Sequence, residues 1–345
     1  MTYAVTLIPG DGIGPEITAE TVKALEATGV GFVWDAQSAG MAAVTASGTP
    51  IPEATIASIR ERRVALKGPL TTPVASGYRS VNVALRREFD LYANLRPART
   101  IVPGRYDRID IVLVRENLEG FYTGLEHWVA TRDDPHSAGI TTGITTRYGC
   151  DRIIRYAFEY ALKHGRKKVT IVHKANILRM VSGLFLEVGR AVAKEFEGQV
   201  EANDMIVDNC AMQLVLRPEQ FDVVVTTNLF GDILSDEIAG LVGGLGLAPG
   251  GNIGSTASIF EAVHGSAPDI AGQDRANPIA AILSAAMLLE HSLKHGAAAA
   301  AIEVAVGAVL DQGYRTPDIQ QPGARLVGTC RMGDLVAEAV RAGQD

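Results

Sequence analysis

Asp232 and Asp236 stand four residues apart in the segment NLFGDILSD. If this segment is helical, both side chains lie on one face, one turn apart. Two carboxylates this close repel each other unless a cation or a base joins them, and oxygen-only ligands favour a hard ion such as Mg²⁺ or Mn²⁺. Asp208, in IVDNC, is a third candidate ligand that the spacing does not connect to the other two. An acidic helix N-terminus that binds no metal is the alternative explanation.

Three arginines have the chemistry to bind an anionic substrate: Arg86 in NVALRR, Arg96 in NLRP and Arg115 in VREN. Arg115 ends an apolar run typical of a buried strand, so its charge needs an anionic partner. Arginine matches a carboxylate with two parallel hydrogen bonds. Three converging arginines would balance a substrate with three negative charges, whereas three separate surface ion pairs are the alternative.

Two further residues have the chemistry of proton carriers. Lys174 follows an apolar run in VHKAN, and a lysine can carry a proton there if its surroundings lower its pKa. Tyr122, in GFYTG, can act as a general acid. The alternatives are an ordinary charged loop residue for the lysine and an amphipathic packing residue for the tyrosine.

The elements that must position these residues alternate between apolar strands and amphipathic helices, which predicts an α/β fold. Thr2–Ile8 is predicted as a strand and 15–28 as a helix. Further buried strands are predicted at 64–66, 111–114, 169–172 and 223–226. Each of these four ends directly before polar residues, and ligands of open α/β sheets bind outside the carboxyl ends of strands. We therefore expect one site to be built from the loops 67–72, 115–122, 173–176 and 228–236.

The segment 121–148 departs from this alternation. It is rich in threonine, glycine and aromatic residues and contains the turn signal DDP, which predicts β-hairpin structure. An extended arm in an otherwise α/β protein often contacts a partner subunit.

The sequence GDGIG at 10–14 lies between a predicted strand and a predicted helix, and Asp35 lies about where a ribose-binding acid would follow a Rossmann turn. The Rossmann pattern is GxGxxG, however, and Pro15 stands where the third glycine is needed for close packing of helix on strand. We interpret the segment as a tight turn before a helix and predict no Rossmann site.

The composition predicts a globular chain of about two domains, since 345 residues are 47% hydrophobic. A net charge of −7 argues against non-specific binding to nucleic acid, which needs a basic surface. The longest apolar runs reach about half of the ~20 residues that cross a bilayer, and the N-terminus lacks the pattern of a secretory signal. Cys150, Cys210 and Cys330 form no CxxC pair, which argues against disulfides and a cysteine zinc site. We therefore expect no membrane segment and a cytoplasmic location.

In this order, the motifs resemble those of the β-decarboxylating dehydrogenases, which act on isocitrate, homoisocitrate, 3-isopropylmalate or tartrate. The resemblance covers almost the whole chain and is carried by LIPGDGIGPEI, LKGPLTTP, YANLRP, VRENLEG, HKANIL, NLFGDILSDEIAGLVGGLGLAPGGNIG and EAVHGSAPDIAGQDRANP. It implies a two-domain α/β fold that is not a Rossmann fold. The large domain would comprise 1–98 and 249–345, and the small dimerisation domain 99–248 with a β-arm at about 121–148. It also implies a homodimer with shared active sites.

The resemblance implies a role for each matching residue. Tyr122 would protonate the enolate carbon, and Lys174 of the partner subunit would assist removal of the hydroxyl proton. The carboxylates of the malate moiety would be held by Arg86, Arg96 and Arg115. Mg²⁺ or Mn²⁺ would be bound by Asp232, Asp236 and Asp208 of the partner subunit. The cofactor would contact Thr71 and Thr72 near the nicotinamide and, along the adenosine half, His264, Gly265, Ala267, Asp269, Ile270 and Asn277.

The substrate is predicted from the segment before Arg86. Ser80 and Asn82 match the isocitrate branch, where these side chains hydrogen-bond the γ-carboxylate of the substrate. The isopropylmalate branch typically carries a glutamate and leucines there. The homoisocitrate branch often has an arginine at the position of Val83, but the segment 206–229 resembles homoisocitrate enzymes closely. We therefore expect oxidative decarboxylation of isocitrate to 2-oxoglutarate and CO₂, with homoisocitrate or 3-isopropylmalate as the alternative substrate.

The cofactor is predicted from APDIAG. NADP-dependent bacterial relatives carry lysine and tyrosine where this chain has Asp269 and Ile270. A carboxylate at Asp269 accepts hydrogen bonds from the ribose hydroxyls of NAD and repels the 2′-phosphate of NADP. A non-catalytic regulatory subunit is the alternative of a different class, but such subunits usually lack part of the tyrosine, lysine and aspartate set that this chain retains.

Overall fold

The computed structural model describes residues 2–73, 78 and 80–343. The chain divides into two compact units. The first comprises Met1–Leu91, Arg96–Ile109 and Ala239–Asp345, and the second Tyr92–Leu95 and Asp110–Ile238. Residues 99–109 and 239–248, which the sequence analysis placed in the small domain, fall in the first unit. Within that unit a backbone hydrogen bond from Thr100 to Ile109 closes the segment 100–109 on itself, and Gly243 lies against Val102.

Strands and helices alternate along the part of the chain that the structure describes. In chain order the strands are β1 (Thr2–Ile8), β2 (Gly31–Ala36), β3 (Val64–Lys67), β4 (Ala93–Arg99), β5 (Asp110–Glu116), β6 (Glu126–Thr131), β7 (Asp134–Thr141), β8 (Lys168–His173), β9 (Glu201–Ile206), β10 (Val223–Thr226), β11 (Pro249–Ile253), β12 (Ser258–Ala262), β13 (Tyr314–Arg315) and β14 (Arg325–Leu326). The α-helices are α1 (Gly14–Glu26), α2 (Met41–Ser47), α3 (Glu53–Arg62), α4 (Val81–Glu88), α5 (Arg147–Lys163), α6 (Val181–Glu195), α7 (Val207–Leu216), α8 (Asn228–Leu241), α9 (Ile279–Met287), α10 (Gly296–Asp311) and α11 (Thr329–Ala342).

The first unit is built on a mostly parallel sheet. β1 pairs in parallel with β2 and β3, β3 pairs in parallel with β12, and β12 pairs antiparallel with β11. Helix α1 begins with a proline in its first turn, where the missing N–H is harmless, and buries Ile17, Thr21, Ala24 and Leu25. The predicted helix at 15–28 and the predicted strands at Thr2–Ile8 and 64–66 are confirmed.

The second unit has its own parallel strands. β10 lies between β5 and β8, and β9 pairs with β8. All four residues of β10 are buried, as expected of a strand covered on both faces. In the register, Thr226 stands opposite both Arg115 and Val172. The segments that follow these three strands therefore leave the sheet at one edge.

The predicted hairpin is present. β6 and β7 pair antiparallel within 121–148, and Arg132 adopts a left-handed φ of 56° at the turn between them. All residues of β7 are exposed, and the Trp128 side chain on β6 is 61% exposed. These observations confirm an α/β fold of parallel strands with an extended β-arm. No helix in the described ranges is both long and apolar enough to span a bilayer.

Candidate active site

Four side chains of the second unit form a hydrogen-bonded group at the carboxyl end of β5, which we call the Arg115 cluster: Arg115, Tyr122, Asn228 and Asp232. Arg115 is 1% exposed, and its Nη1 donates to Oδ1 of Asp232 at 2.5 Å. Its Nε and Nη2 donate to Oδ1 of Asn228 at 3.1 and 2.7 Å. The hydroxyl of Tyr122 donates to Oδ2 of Asp232 at 2.5 Å. A buried guanidinium and a phenol thus share one carboxylate.

Local packing explains how this cluster forms. Asn228 is the first residue of α8, two residues after β10 ends, so the sheet edge delivers it beside Arg115. A Cβ on Gly231 would lie only 2.5 Å from Cγ of Arg115, so glycine is what lets the first turn of α8 approach the arginine stem. Asp236 lies one turn after Asp232 on the same helix, so the condition under which the two side chains share a face is met.

Lys174 and Asp208 form a second pair in the same unit. Nζ of Lys174 donates to Oδ1 of Asp208 at 2.5 Å, and the backbone N–H of Lys174 donates to Oγ of Ser182. The hydrogen bond from Lys174 lowers the pKa of the Asp208 carboxyl. Asp208 lies in the first turn of α7, and its side chain is 69% exposed.

The aspartates fit a hard cation in their donor chemistry, since each supplies carboxylate oxygens only. Within the ranges that the structure describes, however, one chain brings no group of three His, Cys, Asp or Glu side chains together for a metal. Asp232 and Asp236 are neighbours on α8, whereas Asp208 is engaged with Lys174. The described residues of one chain therefore do not bring Asp208 together with Asp232 and Asp236 as a three-carboxylate group.

The first unit carries the other predicted substrate residues. Oγ of Ser80 caps α4 by accepting the N–H of Val83 at 3.4 Å. Oδ1 of Asn82 is buried without a hydrogen-bond partner among the described residues. Arg86 and Arg96 are 8% and 9% exposed. Asn82 and Arg86 thus lie on α4 of the first unit, which Ser80 caps, and Arg96 lies on β4 in the same unit. Arg115 belongs to the second unit.

A buried ion pair lies beside Arg86. Nζ of Lys67 is 2.5 Å from Oε2 of Glu261, and Nδ2 of Asn252 donates to Oε1 of the same carboxylate at 2.9 Å. Burial alone would raise the pKa of Glu261, but the charges of Lys67 and Arg86 and these hydrogen bonds hold it below its usual range. Asn82 and Arg86 line a small cavity with this pair.

The predicted cofactor residues lie on two loops of the first unit. Thr71 and Thr72 follow β3, and Oγ of Thr71 lies 2.7 Å from Oγ of Ser266 on the second loop. That loop, 263–278, holds His264, Gly265, Ala267, Asp269, Ile270 and Asn277. Ala267 has a φ of 36°, an uncommon left-handed value for a residue other than glycine.

Several features of the second loop fit the adenosine half of a dinucleotide. Nε2 of His264 is buried without a partner among the described residues, and burial lowers the pKa of this imidazole. Asp269 is exposed, so its carboxylate is open to a ribose. Asn277 caps α9 through Oδ1 and donates to Asp318 at 3.0 Å.

The sequence analysis included Asn228 only as part of the expected site loop 228–236, and it gave no role to Glu261 or Ser266. Asn228 carries a usable signal, because it is a polar residue two positions after a buried strand and four positions before Asp232. Glu261 is a lone charge within the apolar strand SIFEA, which also marks a residue needing a buried partner. Ser266 gives no such signal, since its partners are distant in sequence.

The chain matches the family model described as isocitrate/isopropylmalate dehydrogenase over residues 4–336. It is 48% identical over 294 residues to a protein named probable isocitrate dehydrogenase [NAD] subunit alpha, mitochondrial, from Drosophila melanogaster, covering 84% of this chain and 76% of that protein. It is also 48% identical over 322 residues to the isocitrate/homoisocitrate dehydrogenase of Thermus thermophilus, covering 92% of this chain and 94% of that protein.

A solved structure of isocitrate dehydrogenase from Methylococcus capsulatus is similar, with a TM-score of 0.94 and 55% identity over 98% of this chain and 99% of that one. Other matching relatives carry the names of an isocitrate dehydrogenase [NAD] regulatory subunit and an isocitrate dehydrogenase [NADP].

Proposed function

We propose, since the chain belongs to the isocitrate/isopropylmalate dehydrogenase family, that it oxidises and decarboxylates isocitrate to 2-oxoglutarate and CO₂ with NAD as hydride acceptor and Mg²⁺ or Mn²⁺ as the metal. The observation that carries the proposal is the Arg115 cluster. It places a carboxylate-binding guanidinium, a proton-donating phenol and a candidate metal ligand within hydrogen-bond distance of one another.

Each residue of the proposed site has its own chemical role. The loops of Thr71 and Asp269 would hold NAD, which would supply hydride acceptance, and the aspartates would hold a metal, which would supply stabilisation of negative charge on the substrate oxygen. Lys174 of the partner subunit takes the proton of the substrate hydroxyl. The phenol of Tyr122 delivers a proton to carbon after CO₂ leaves. Arg86, Arg96 and Arg115 hold the remaining carboxylates, so that only one is free to leave.

The isocitrate assignment is supported by α4. The Ser80 hydroxyl accepts one helix N–H, and Oδ1 of Asn82 is buried without a hydrogen-bond donor among the residues that the structure describes. Both side chains could bind a carboxyl or hydroxyl group of a substrate. The Thermus relative named isocitrate/homoisocitrate dehydrogenase favours homoisocitrate as a second candidate substrate. The relative named as a regulatory subunit keeps the non-catalytic alternative open, against which stands the intact set of Tyr122, Lys174 and aspartates.

NAD is supported over NADP by the exposed Asp269. Its negative charge opposes that of a 2′-phosphate, whereas a free ribose diol donates hydrogen bonds to a carboxylate.

A homodimer with shared sites is supported by two observations on the second unit. Asp208 pairs with Lys174, and the described residues of one chain bring no three His, Cys, Asp or Glu side chains together for a metal. In addition, large apolar side chains there are exposed, among them Ile177, Met180, Leu216 and Ile233, and a partner subunit that covers such side chains would bury apolar area. The cytoplasm is our proposed location, supported by the three free thiols; cell fractionation with an antibody tests it.

The function is tested by following NADH absorbance with purified protein, NAD⁺ and Mg²⁺. Isocitrate, homoisocitrate, 3-isopropylmalate and tartrate are offered in parallel, and a chelator is the control. We expect the highest kcat/KM with isocitrate and no turnover after chelation. A preference for another substrate contradicts the assignment from α4, and the absence of all turnover by the chain alone favours the regulatory subunit.

A further inference from the structure

The GDGIG segment, which the sequence analysis interpreted as a tight turn, contains a buried carboxylate with three backbone partners. Asp11 is 7% exposed. Its Oδ2 accepts the N–H groups of Met41 and Thr71 at 3.1 and 2.9 Å. Its Oδ1 accepts the N–H of Ala42 at 3.2 Å. One side chain therefore caps α2 and also fixes the loop that carries Thr71.

The next two residues of the same segment hold the second cofactor loop. The N–H of Ile13 donates to the carbonyl of Ser266 at 2.9 Å. A Cβ on Gly12 would lie 2.0 Å from that carbonyl oxygen, so the backbone of the segment touches the loop directly. Ile13 also shares an apolar cluster with Ala267 and Ile270.

The two loops meet through their side chains as well. Oγ of Ser266 lies 2.7 Å from Oγ of Thr71, whose carbonyl accepts a hydrogen bond from the Tyr78 hydroxyl. Thr71 is thus fixed at its N–H, its hydroxyl and its carbonyl. The backbone N–H and carbonyl of Asp11 add further constraints, since the N–H donates to Pro69 and the carbonyl accepts from Gly14.

We propose that Asp11 is a positioning residue for the dinucleotide. It sets the separation between the loop of Thr71, at the nicotinamide end, and the loop of Ser266 and Asp269, at the adenosine end. The inference rests on the proposed function, because it assumes that these loops bind the two halves of one cofactor. A carboxylate suits the task because it is acceptor-only and its two oxygens serve three donors.

The substitution Asp11→Asn tests this. The amide keeps the shape but replaces one acceptor oxygen by an NH₂ group, which faces backbone N–H groups that need an acceptor. Titration calorimetry with NADH is the readout, because it needs no turnover. We expect the Kd for NADH and the KM for NAD to rise roughly tenfold, with the KM for isocitrate unchanged.

The matched control is Asp222→Asn in the second unit. Asp222 also accepts backbone N–H groups, those of Lys167 and Lys168, and it pairs with Arg166. We expect a comparable loss of thermal stability with an unchanged Kd for NADH. An unchanged Kd in Asp11→Asn, or an equal rise in both variants, would overturn the inference.

If Asp11→Asn does not fold, a second pair of variants tests whether the contact between the two loops affects NADH binding. Ser266→Ala removes the hydroxyl that joins the two loops. Ser58→Ala removes a hydroxyl elsewhere in the first unit. The Oγ of Ser58 lies 2.7 Å from Oγ of Thr6, the same distance that separates Oγ of Ser266 from Oγ of Thr71. We expect only Ser266→Ala to raise the Kd for NADH, and equal Kd values in both would overturn the inference. A wild-type protein that binds no dinucleotide overturns the proposed function too, whereas NADH binding insensitive to these variants overturns the inference alone.

Discussion

Asp232 accepts a hydrogen bond on each carboxylate oxygen, and the guanidinium of Arg115 supplies one of them at 2.5 Å. The candidate substrate-binding arginine and the candidate metal ligand therefore balance each other's charge. Because Arg115 is buried, it cannot give up this partner without gaining another anion. A carboxylate of the proposed substrate would be such an anion, and its binding would free Asp232 for a cation.

Substrate binding should consequently raise the affinity of the protein for the metal. We expect the Kd for Mn²⁺, measured by the electron paramagnetic resonance of the free ion, to fall at least tenfold when isocitrate is present. Reciprocal linkage requires Mn²⁺ to tighten isocitrate by the same factor. Chloride at equal ionic strength is the control. Equal Mn²⁺ affinity with and without isocitrate contradicts this coupling.

The close approach of α8 to Arg115 gives a prediction for Gly231→Ala. The added Cβ would lie 2.5 and 2.8 Å from Cγ and Cβ of Arg115, so the helix or the arginine must shift. We expect a loss of about 1–3 kcal/mol in the free energy of unfolding and a fall in kcat/KM, since Arg115 is displaced from Asp232.

Gly240→Ala is the matched control on the same helix. A Cβ on Gly240 meets nothing within 4 Å, so the substitution should stabilise α8 by roughly 0.5–1 kcal/mol through its helix propensity. Urea denaturation measures both variants. A neutral effect of Gly231→Ala on stability and activity would show that the contact with Arg115 is not tight.

The sequence predicted what depends on neighbours along the chain and missed what depends on tertiary contacts. Apolar runs were enough for the buried strands, and the hairpin followed from its turn residues. Asp232 and Asp236 share one face if their segment is helical, and α8 supplies that helix. The pairing of Lys174 with Asp208, in contrast, joins residues 34 positions apart on different elements, and no periodicity reveals it. The same holds for Asp11, whose partners lie 30 to 60 positions away.

The buried Glu261 gives a pH dependence. Burial opposes its ionisation, but Lys67 and Arg86 hold the pKa of the carboxyl below its usual value. A lowered folded-state pKa contributes stability above the unfolded pKa of about 4.3, and this contribution is lost as the pH falls through the folded value. Glu261→Gln leaves the Lys67 charge buried without its counter-ion, at a cost of about 3–5 kcal/mol near neutral pH.

The stability difference between wild type and Glu261→Gln should therefore be largest above about pH 5 and shrink as acid is added. Denaturant titrations at a series of pH values measure it. Glu195→Gln removes a carboxylate whose pKa is lowered by Arg155 on the surface, and its effect should be much smaller at every pH. If the difference in the free energy of unfolding between wild type and Glu261→Gln does not change with pH, the lowered pKa of Glu261 is contradicted.

The choice of cofactor is tested at Asp269 and Ile270. Two unit charges 4 Å apart at an effective dielectric of 20 repel by about 4 kcal/mol. Half of that energy corresponds to more than a tenfold preference for NAD over NADP. We expect Asp269→Lys with Ile270→Tyr to raise the ratio of kcat/KM for NADP to that for NAD by more than tenfold. Ile270 packs on the apolar cluster of Ile13 and Ala276, so its replacement also costs stability. Asp269→Lys alone should account for most of the change in the cofactor ratio.

The control is Asp107→Lys, which alters the net charge equally at an exposed position of the first unit and should leave the ratio unchanged. If the ratio does not rise in the double variant, Asp269 is not the residue that rejects the 2′-phosphate.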